Sequence, residues 1–249
     1  MKIIEVYNGL SALIADKSDY DGLWISSLTH SASKGLPDTE LIPLSERVDL
    51  VREVRRVSNK PIFVDVDTGG GHFGYHAKWF KDAGAYALII EDKAFPKKNS
   101  LLNTSHNLED VDKFCEKIKE GKKSEIMIIA RVESLIAKHS MYEALIRAEA
   151  YEKAGADGIM IHSKQQVDSS EVMEFAKKFR ERSSLTLVAV PTTYELPKIN
   201  PFDIIISANQ MLRASIKGMQ DYLKGEGIAP VEDIFKIIGY EDRRSNDKT

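Results

Sequence analysis

The stretch Leu88-Ile89-Ile90-Glu91-Asp92-Lys93-Ala94-Phe95-Pro96-Lys97-Lys98-Asn99-Ser100 passes from an apolar run directly into acids, lysines and an amide. Leu88-Ile89-Ile90 reads as a buried strand, with Gly84 before it and Pro96 after it as punctuation. The polar residues therefore gather at a strand's carboxyl end, where such a loop can meet phosphate and a divalent metal together. Apolar runs of strand length recur at residues 3–6, 23–26, 62–66, 126–130, 158–161, 185–190 and 204–207, which makes eight strands with the first. Between most of them lie stretches of helical period, at residues 45–57, 75–83, 108–120, 141–154, 169–182 and 210–223. Strands alternating with helices imply parallel pairing and right-handed crossovers. Eight such units in 249 residues predict an α/β fold, the (β/α)8 TIM barrel, with a doubly wound open sheet as the alternative.

Residues 1–240 read as a single barrel domain, because no linker, charge block or low-complexity segment divides them. Residues 29–44 read as a long loop with Gly35 and Pro37, suited to a lid over an active site. Residues 230–240 read as an additional C-terminal helix, and 241–249 as a charged tail.

Composition narrows the function. The formal charge of −3, from 35 basic and 38 acidic residues, creates no field that recruits nucleic acid or an anionic membrane. The aromatics are scattered and lack the basic interleaving of a nucleic-acid surface. No apolar run reaches the roughly 18 residues of a membrane span, and the apolar start is too short for a signal peptide. A single cysteine, Cys115, excludes an intramolecular disulfide and a thiolate metal cluster, and a reducing cytoplasm is the expected setting. Gly69-Gly70-Gly71 matches neither a dinucleotide turn nor a phosphate loop and reads as a flexible turn.

In a barrel the chemistry sits at the carboxyl ends of the strands. Those ends present Trp24 with Ser26-Ser27-Leu28, Asp65 and Asp67, Glu91-Asp92-Lys93, Arg131 with Glu133, His162-Ser163, Pro191-Thr192 and Asn209. Asp65 and Asp67, two apart on a strand, are expected to share a face. Alone the pair reads equally as a solvated strand end; beside Glu91 it reads as a magnesium site, since Mg2+ takes oxygen ligands and keeps several waters. Arg131 offers a planar fork for phosphoryl or carboxylate oxygens. A lone histidine at a strand end is commonly structural, but the neighbours of His162 point toward function. Backbone N–H groups around Ser26-Ser27-Leu28 can face a developing enolate oxygen.

Glu91-Asp92-Lys93, then Pro96-Lys97, then Asn99-Ser100, closely resembles the signature of the phosphoenolpyruvate mutase and phosphonopyruvate hydrolase family of the isocitrate lyase superfamily. Asn8-Gly9-Leu10-Ser11, Asp65-Val66-Asp67-Thr68-Gly69, Ile129-Ala130-Arg131-Val132-Glu133, Ala154-Gly155-Ala156-Asp157-Gly158 and His162-Ser163-Lys164 extend the resemblance over most of the chain. The resemblance implies Mg2+ on Asp65, Asp67 and Glu91, and a small phosphorylated keto acid held by Trp24, Ser26, Ser27, Leu28, Ser100 and Ser163. It implies catalytic roles for Asp38, Lys97, Asn99, Arg131 and His162, with Lys97, Asn99 and Ser100 on a gate. Pro37-Asp38 reads equally as a surface turn.

Three departures from the family pattern stand out. Ser27 occupies a usual glycine, Gly70 a usual aromatic, and the arginine before the loop acid is absent. The implied reaction interconverts phosphoenolpyruvate and phosphonopyruvate. Phosphonopyruvate hydrolysis is the alternative, as is a divergent homologue that acts on or merely binds another small acid. Asn99 matches the mutases, whereas the hydrolases typically carry Thr there, and the Lys-Lys-Cys-Gly-His run of the carbon–carbon lyases is missing. A homodimer or homotetramer, with the terminal helix exchanged between subunits, is implied by the resemblance as well.

Overall fold

The computed structural model describes residues 1–164 and 168–240, so the charged tail expected at 241–249 lies outside the described residues. Eight strands pair in parallel in chain order: β1 (Lys2–Val6), β2 (Gly22–Ile25), β3 (Ile62–Asp65), β4 (Ala87–Glu91), β5 (Met127–Val132), β6 (Gly158–Ile161), β7 (Thr186–Ala189) and β8 (Ile204–Ser207). β8 closes on β1 through Lys2↔Ile205 and Ile3↔Ile206. The result is the expected (β/α)8 barrel rather than an open sheet.

Alternation along the strands builds two apolar layers. One set of residues, including Ile3, Trp24, Phe63, Ile89, Ile129, Met160, Val188 and Ile206, fills the barrel interior. The intervening residues, among them Leu23, Val64, Leu88, Ile128, Ile159 and Leu187, pack outward against the helices. Each fully buried Leu, Ile, Val or Phe contributes about 1.5–3 kcal/mol of transfer free energy.

The helices are α1 (Gly9–Asp16), α2 (Ser27–Ser33), α3 (Leu44–Arg55), α4 (Phe73–Asp82), α5 (Val111–Lys122), α6 (Met141–Lys153), α7 (Ser170–Arg180), α8 (Gln210–Leu223) and α9 (Val231–Ile237). α5 shows why such segments are helical: Phe114 and Ile118 lie one turn apart on the buried face, and the Asp110 side chain caps the N–H groups of Asp112 and Lys113.

Two helices correct the sequence reading. α1 is short, but Asn8 and Ser11 form a reciprocal capping box at its start. The loop expected at 29–44 begins as α2, whose buried face carries Ser27, Thr29, His30 and Ser31 in place of an apolar stripe. Only its second part, from Lys34 to Pro43, is irregular.

α8 is anchored to β1 by the Met211 N–H, which donates to Glu5 Oε2 at 3.0 Å, and by the contact between Tyr7 Oη and Ser215 Oγ. No residue of α8 or α9 is buried, and Met219, Leu223, Ile228, Ile234 and Ile238 stand exposed.

Candidate active site

The interior parity of the strands continues into their polar ends. Phe63 leads to Asp65, Ile89 to Glu91 and Lys93, Ile129 to Arg131 and Glu133, and Met160 to His162. Strand register places Asp65 opposite Ile89 and Glu91 opposite Arg131, so these side chains converge at one mouth. Above them is a small cavity of about 50 Å3, lined by Trp24, Ser26, Ser27, Asp65, Arg131 and His162 and roofed by Lys97, Asn99, Ser100 and Asp38. That is room for roughly three to five waters, the scale of a small acid rather than of a polymer.

The loop after β4 lies folded over this mouth. Lys97 is buried at 4% exposure, donates to Ser27 Oγ at 3.1 Å, sits 3.0 Å from Asp38 Oδ1 and pairs with Asp67. Asn99 Nδ2 donates to Asp38 Oδ2 at 2.7 Å, and Ser100 Oγ donates to Glu133 Oε2 at 2.7 Å. The loop carrying Asp38 is itself tied down, because Thr68 donates through both N–H and Oγ1 to Glu40 Oε1. Asp38 is therefore a buried site residue, not a surface turn. Gly69 gives the Asp67–Gly70 turn its shape: its φ is +82°, and a Cβ there would lie 2.7 Å from Ile90 Cδ1 and 2.8 Å from Phe73 Cδ2.

Glu133 organises the far wall. Its carboxylate accepts from Arg131 Nε and Ser100 Oγ, lies 2.8 Å from His162 Nδ1 and 3.1 Å from Lys93 Nζ. Those positive and donor groups hold it ionised, well below the usual carboxylate range despite complete burial. Burial and the Arg131 charge push His162 the other way, toward its neutral form. His162 Nδ1 lies 2.8 Å from both Glu133 Oε1 and Arg131 Nη2, so the ring meets a carboxylate and a guanidinium at the same nitrogen. Behind this wall, buried Asp92 accepts from the Glu133 N–H at 2.8 Å and Tyr151 Oη at 2.7 Å, which fixes the β5 turn.

Glu91 is unlike Glu133. Both its oxygens are buried without a hydrogen-bond partner, and its cations stand off, Arg131 at 3.5 Å, Lys93 at 3.8 Å and Lys97 at 4.0 Å. Burial outweighs these charges and pushes its carboxyl up to about 7. A buried acid with two unused oxygens is a donor set that a hard cation would complete.

The geometry expected of the two aspartates differs in the structure. Asp65 and Asp67 do not share a strand face, because β3 ends at Asp65 and Asp67 turns into the left-handed region with φ +54°. Asp67 is instead engaged by cations: Arg47 Nη1 reaches its Oδ2 at 2.7 Å, and Lys97 pairs with Oδ1. Among the described residues no three His, Cys, Asp or Glu side chains form a ready metal cluster. Asp65 accepts from Ser27 Oγ at 3.1 Å and faces the cavity, while Asp67 and Glu91 lie beneath the lining.

Trp24, Ser26, Ser27, Leu28, Asp38, Lys97, Asn99, Ser100, Arg131 and His162 all line the cavity as expected, and Ser163 does not. Strand alternation turns Ser163 outward, where its hydroxyl donates to Glu171 on α7. Arg47 and the organising part played by Glu133 were not anticipated, and Lys93 was named at the strand end without a role. Each had a signal: Lys93 and Glu133 keep interior parity past Glu91 and Arg131, and Arg47 interrupts an apolar face made by Leu50, Val51 and Val54.

The family model for phosphoenolpyruvate phosphomutase matches residues 1–225. The chain is 34% identical to the phosphoenolpyruvate phosphomutase of Streptomyces hygroscopicus, over 96% of this chain and 83% of that protein. It is 32% identical to the phosphonopyruvate hydrolase of Variovorax sp., over 86% of this chain and 78% of that one. The crystal structure of phosphoenolpyruvate phosphomutase from Streptomyces platensis superposes with a TM-score of 0.92 at 32% identity, covering 100% of this chain and 93% of that one. A phosphonopyruvate hydrolase solved with oxalate and Mg2+ superposes at 0.87 with 29% identity, covering 98% and 92%. With this match across nearly its whole length, the chain belongs to the phosphoenolpyruvate phosphomutase family of enzymes.

Proposed function

We propose that the protein interconverts phosphoenolpyruvate and phosphonopyruvate within one bound molecule. The bond between phosphorus and the enol oxygen breaks, pyruvate enolate keeps the electron pair, and C3 of the enolate then bonds to phosphorus. Such a transfer needs positioning and charge neutralisation more than covalent help. The observation that carries the reading is the closed mouth, with Lys97 and Ser100 buried and Asn99 bonded to Asp38 above a cavity of about 50 Å3. A metaphosphate-like species survives to meet carbon only where water is kept out.

Arg131 and neutral His162 would grip the phosphoryl oxygens, both steadied by Glu133. N–H groups of Ser27 and Leu28, in the first turn of α2 and without intrahelical acceptors, would face the enolate oxygen. Ser27 takes helical backbone, so the exchange from glycine keeps these donors and adds a hydroxyl that bridges Lys97 and Asp65. Asp65 and Glu91, with Asp67 behind them, would hold Mg2+ directly or through its waters, and the ion would neutralise charge on the keto-acid oxygens. Lys97, which pairs with Asp38 and Asp67 in the closed, substrate-free mouth, would trade these partners for the substrate once it occupies the cavity.

Incubation with phosphonopyruvate and Mg2+, followed by phosphorus NMR, tests the reading. Phosphoenolpyruvate is the expected product, and stoichiometric inorganic phosphate with pyruvate would assign a hydrolase instead. Absence of both, together with ligand-induced thermal stabilisation, would assign a binder or an enzyme for another small acid.

We propose further that the protein acts in the cytoplasm as a homodimer or homotetramer, since α8 and α9 carry exposed Met219, Leu223, Ile234 and Ile238 that a second copy would cover. Light scattering reports the mass directly, and a monomer at micromolar concentration would refute it.

A further inference from the structure

Arg47 stands in the first turn of α3, behind the cavity rather than in it, and its guanidinium is enclosed at 1% exposure. Its Nη1 donates to Asp67 Oδ2 at 2.7 Å and to the Asp65 carbonyl at 2.8 Å. A guanidinium stays charged at any pH the fold survives. It therefore sets a permanent positive charge against the acids that face the mouth. Nearby His30, buried at 3% exposure, is held neutral by burial and by that charge, so it adds no second cation there.

The charges around the mouth nearly balance. Asp38, Asp65, Asp67, Glu91 and Glu133 supply five negative charges when ionised, and Arg47, Lys93, Lys97 and Arg131 supply four positive ones. Removing Arg47 would leave one more uncompensated negative charge at the mouth. It would also free one oxygen of Asp67, whose other oxygen faces Lys97.

We propose that Arg47 is a positioning residue and built-in countercharge: it holds Asp67 to Lys97 and weakens the ligand-free site's grip on a divalent cation, so that cation uptake depends on the arriving anion. This rests on the metal-and-anion reading of the site given above. Coulomb attraction at these separations in a buried site makes one unit charge worth tenfold or more in cation affinity. The design keeps the mouth from trapping a cation before substrate enters, and it gives Lys97 a defined partner whenever the mouth closes without substrate.

The test measures free Mn2+ by electron paramagnetic resonance with the full chain, without and with oxalate as a non-reacting dianion. Arg47→Gln is expected to tighten Mn2+ binding tenfold or more in the absence of oxalate and to shrink the gain that oxalate brings, while Arg47→Lys stays within about threefold of wild type. A merely structural role would weaken binding or leave it unchanged, and either result overturns the proposal. Should Arg47→Gln fail to fold, the wild type itself carries the test: oxalate is expected to tighten its Mn2+ binding tenfold or more, and equal Mn2+ binding without and with oxalate overturns the proposal. Wild type that takes up no Mn2+, with or without oxalate, would sink the metal reading as well. Wild-type uptake matched by an unchanged Arg47→Gln would sink this inference alone.

Discussion

Replacing Glu91 by glutamine should stabilise the metal-free protein while removing its response to a divalent cation. The carboxyl is pushed up to about 7 from an ordinary value of 4.5, chiefly by burial, with both oxygens unbonded. For an acid, a folded-state value above the unfolded one means that the folded protein binds more protons, so stability falls as pH rises between about 4.5 and 7. At pH 8 the ionised group costs about 3 kcal/mol, since each tenfold change in proton affinity is worth roughly 1.4 kcal/mol. Glutamine has the same shape and no charge to desolvate. In EDTA at pH 8 the variant should therefore melt higher than wild type, by roughly 6–12 °C given about 2–4 °C per kcal/mol for a chain of this size. At pH 5 the two should melt together. Mg2+ added together with oxalate should raise the wild-type melting temperature at pH 8 and leave the variant unmoved. Differential scanning calorimetry at the two pH values decides it. A Glu91→Gln variant less stable than wild type at pH 8 without metal would show that the cations at 3.5–4.0 Å already compensate the buried charge, and the case for an incomplete cation site would fail.

Glu133→Gln should act in the opposite sense, because it strands the buried charges of Arg131 and Lys93; a loss of about 3–5 kcal/mol in urea unfolding is expected, and less than 1 kcal/mol would deny Glu133 its organising part. His30 is lowered to about 4 by burial and then by Arg47, so the folded state resists its protonation and stability drains as pH falls from about 6.5 to 4. His30→Gln should remove about 2 kcal/mol of that loss, and an unchanged acid-unfolding curve would refute it. Asn99→Thr shortens the side chain that reaches Asp38 at 2.7 Å, and in phosphorus NMR it should divert part of the phosphonopyruvate to inorganic phosphate; an unchanged product ratio would detach position 99 from water exclusion.

The barrel was legible because its two periodicities are local. Apolar runs at period 2 and amphipathic runs at period 3.6 can be counted in the chain, and six of the helices and all eight strands follow them closely. α2 escaped because its buried face is made of Ser27, Thr29, His30 and Ser31, which carry no apolar periodicity. The site residues at strand ends were legible for the same local reason, since Asp65, Glu91, Arg131 and His162 extend the interior parity of Phe63, Ile89, Ile129 and Met160. Asp67 broke the rule at the residue where the strand stops, and alternation has no force in a left-handed turn.

Charge pairing across loops is a different kind of information. Whether a carboxylate at the mouth is open to a ligand depends on which cation reaches it from elsewhere in the chain, and no local pattern records that. Asp67 and Glu91 look alike as strand-end acids, yet Arg47, 20 residues away in sequence, occupies one while no donor bonds the other. Desolvation makes the two outcomes chemically opposite, because a buried acid with close partners is pinned as an anion and one without them drifts toward neutrality. Asp67 is accordingly held below the usual carboxylate range and Glu91 raised to about 7. On the proposed reading such a mouth would hold one acid in reserve for Lys97 and another for an incoming cation, which would tie gate closure and ion binding to the same small set of buried charges.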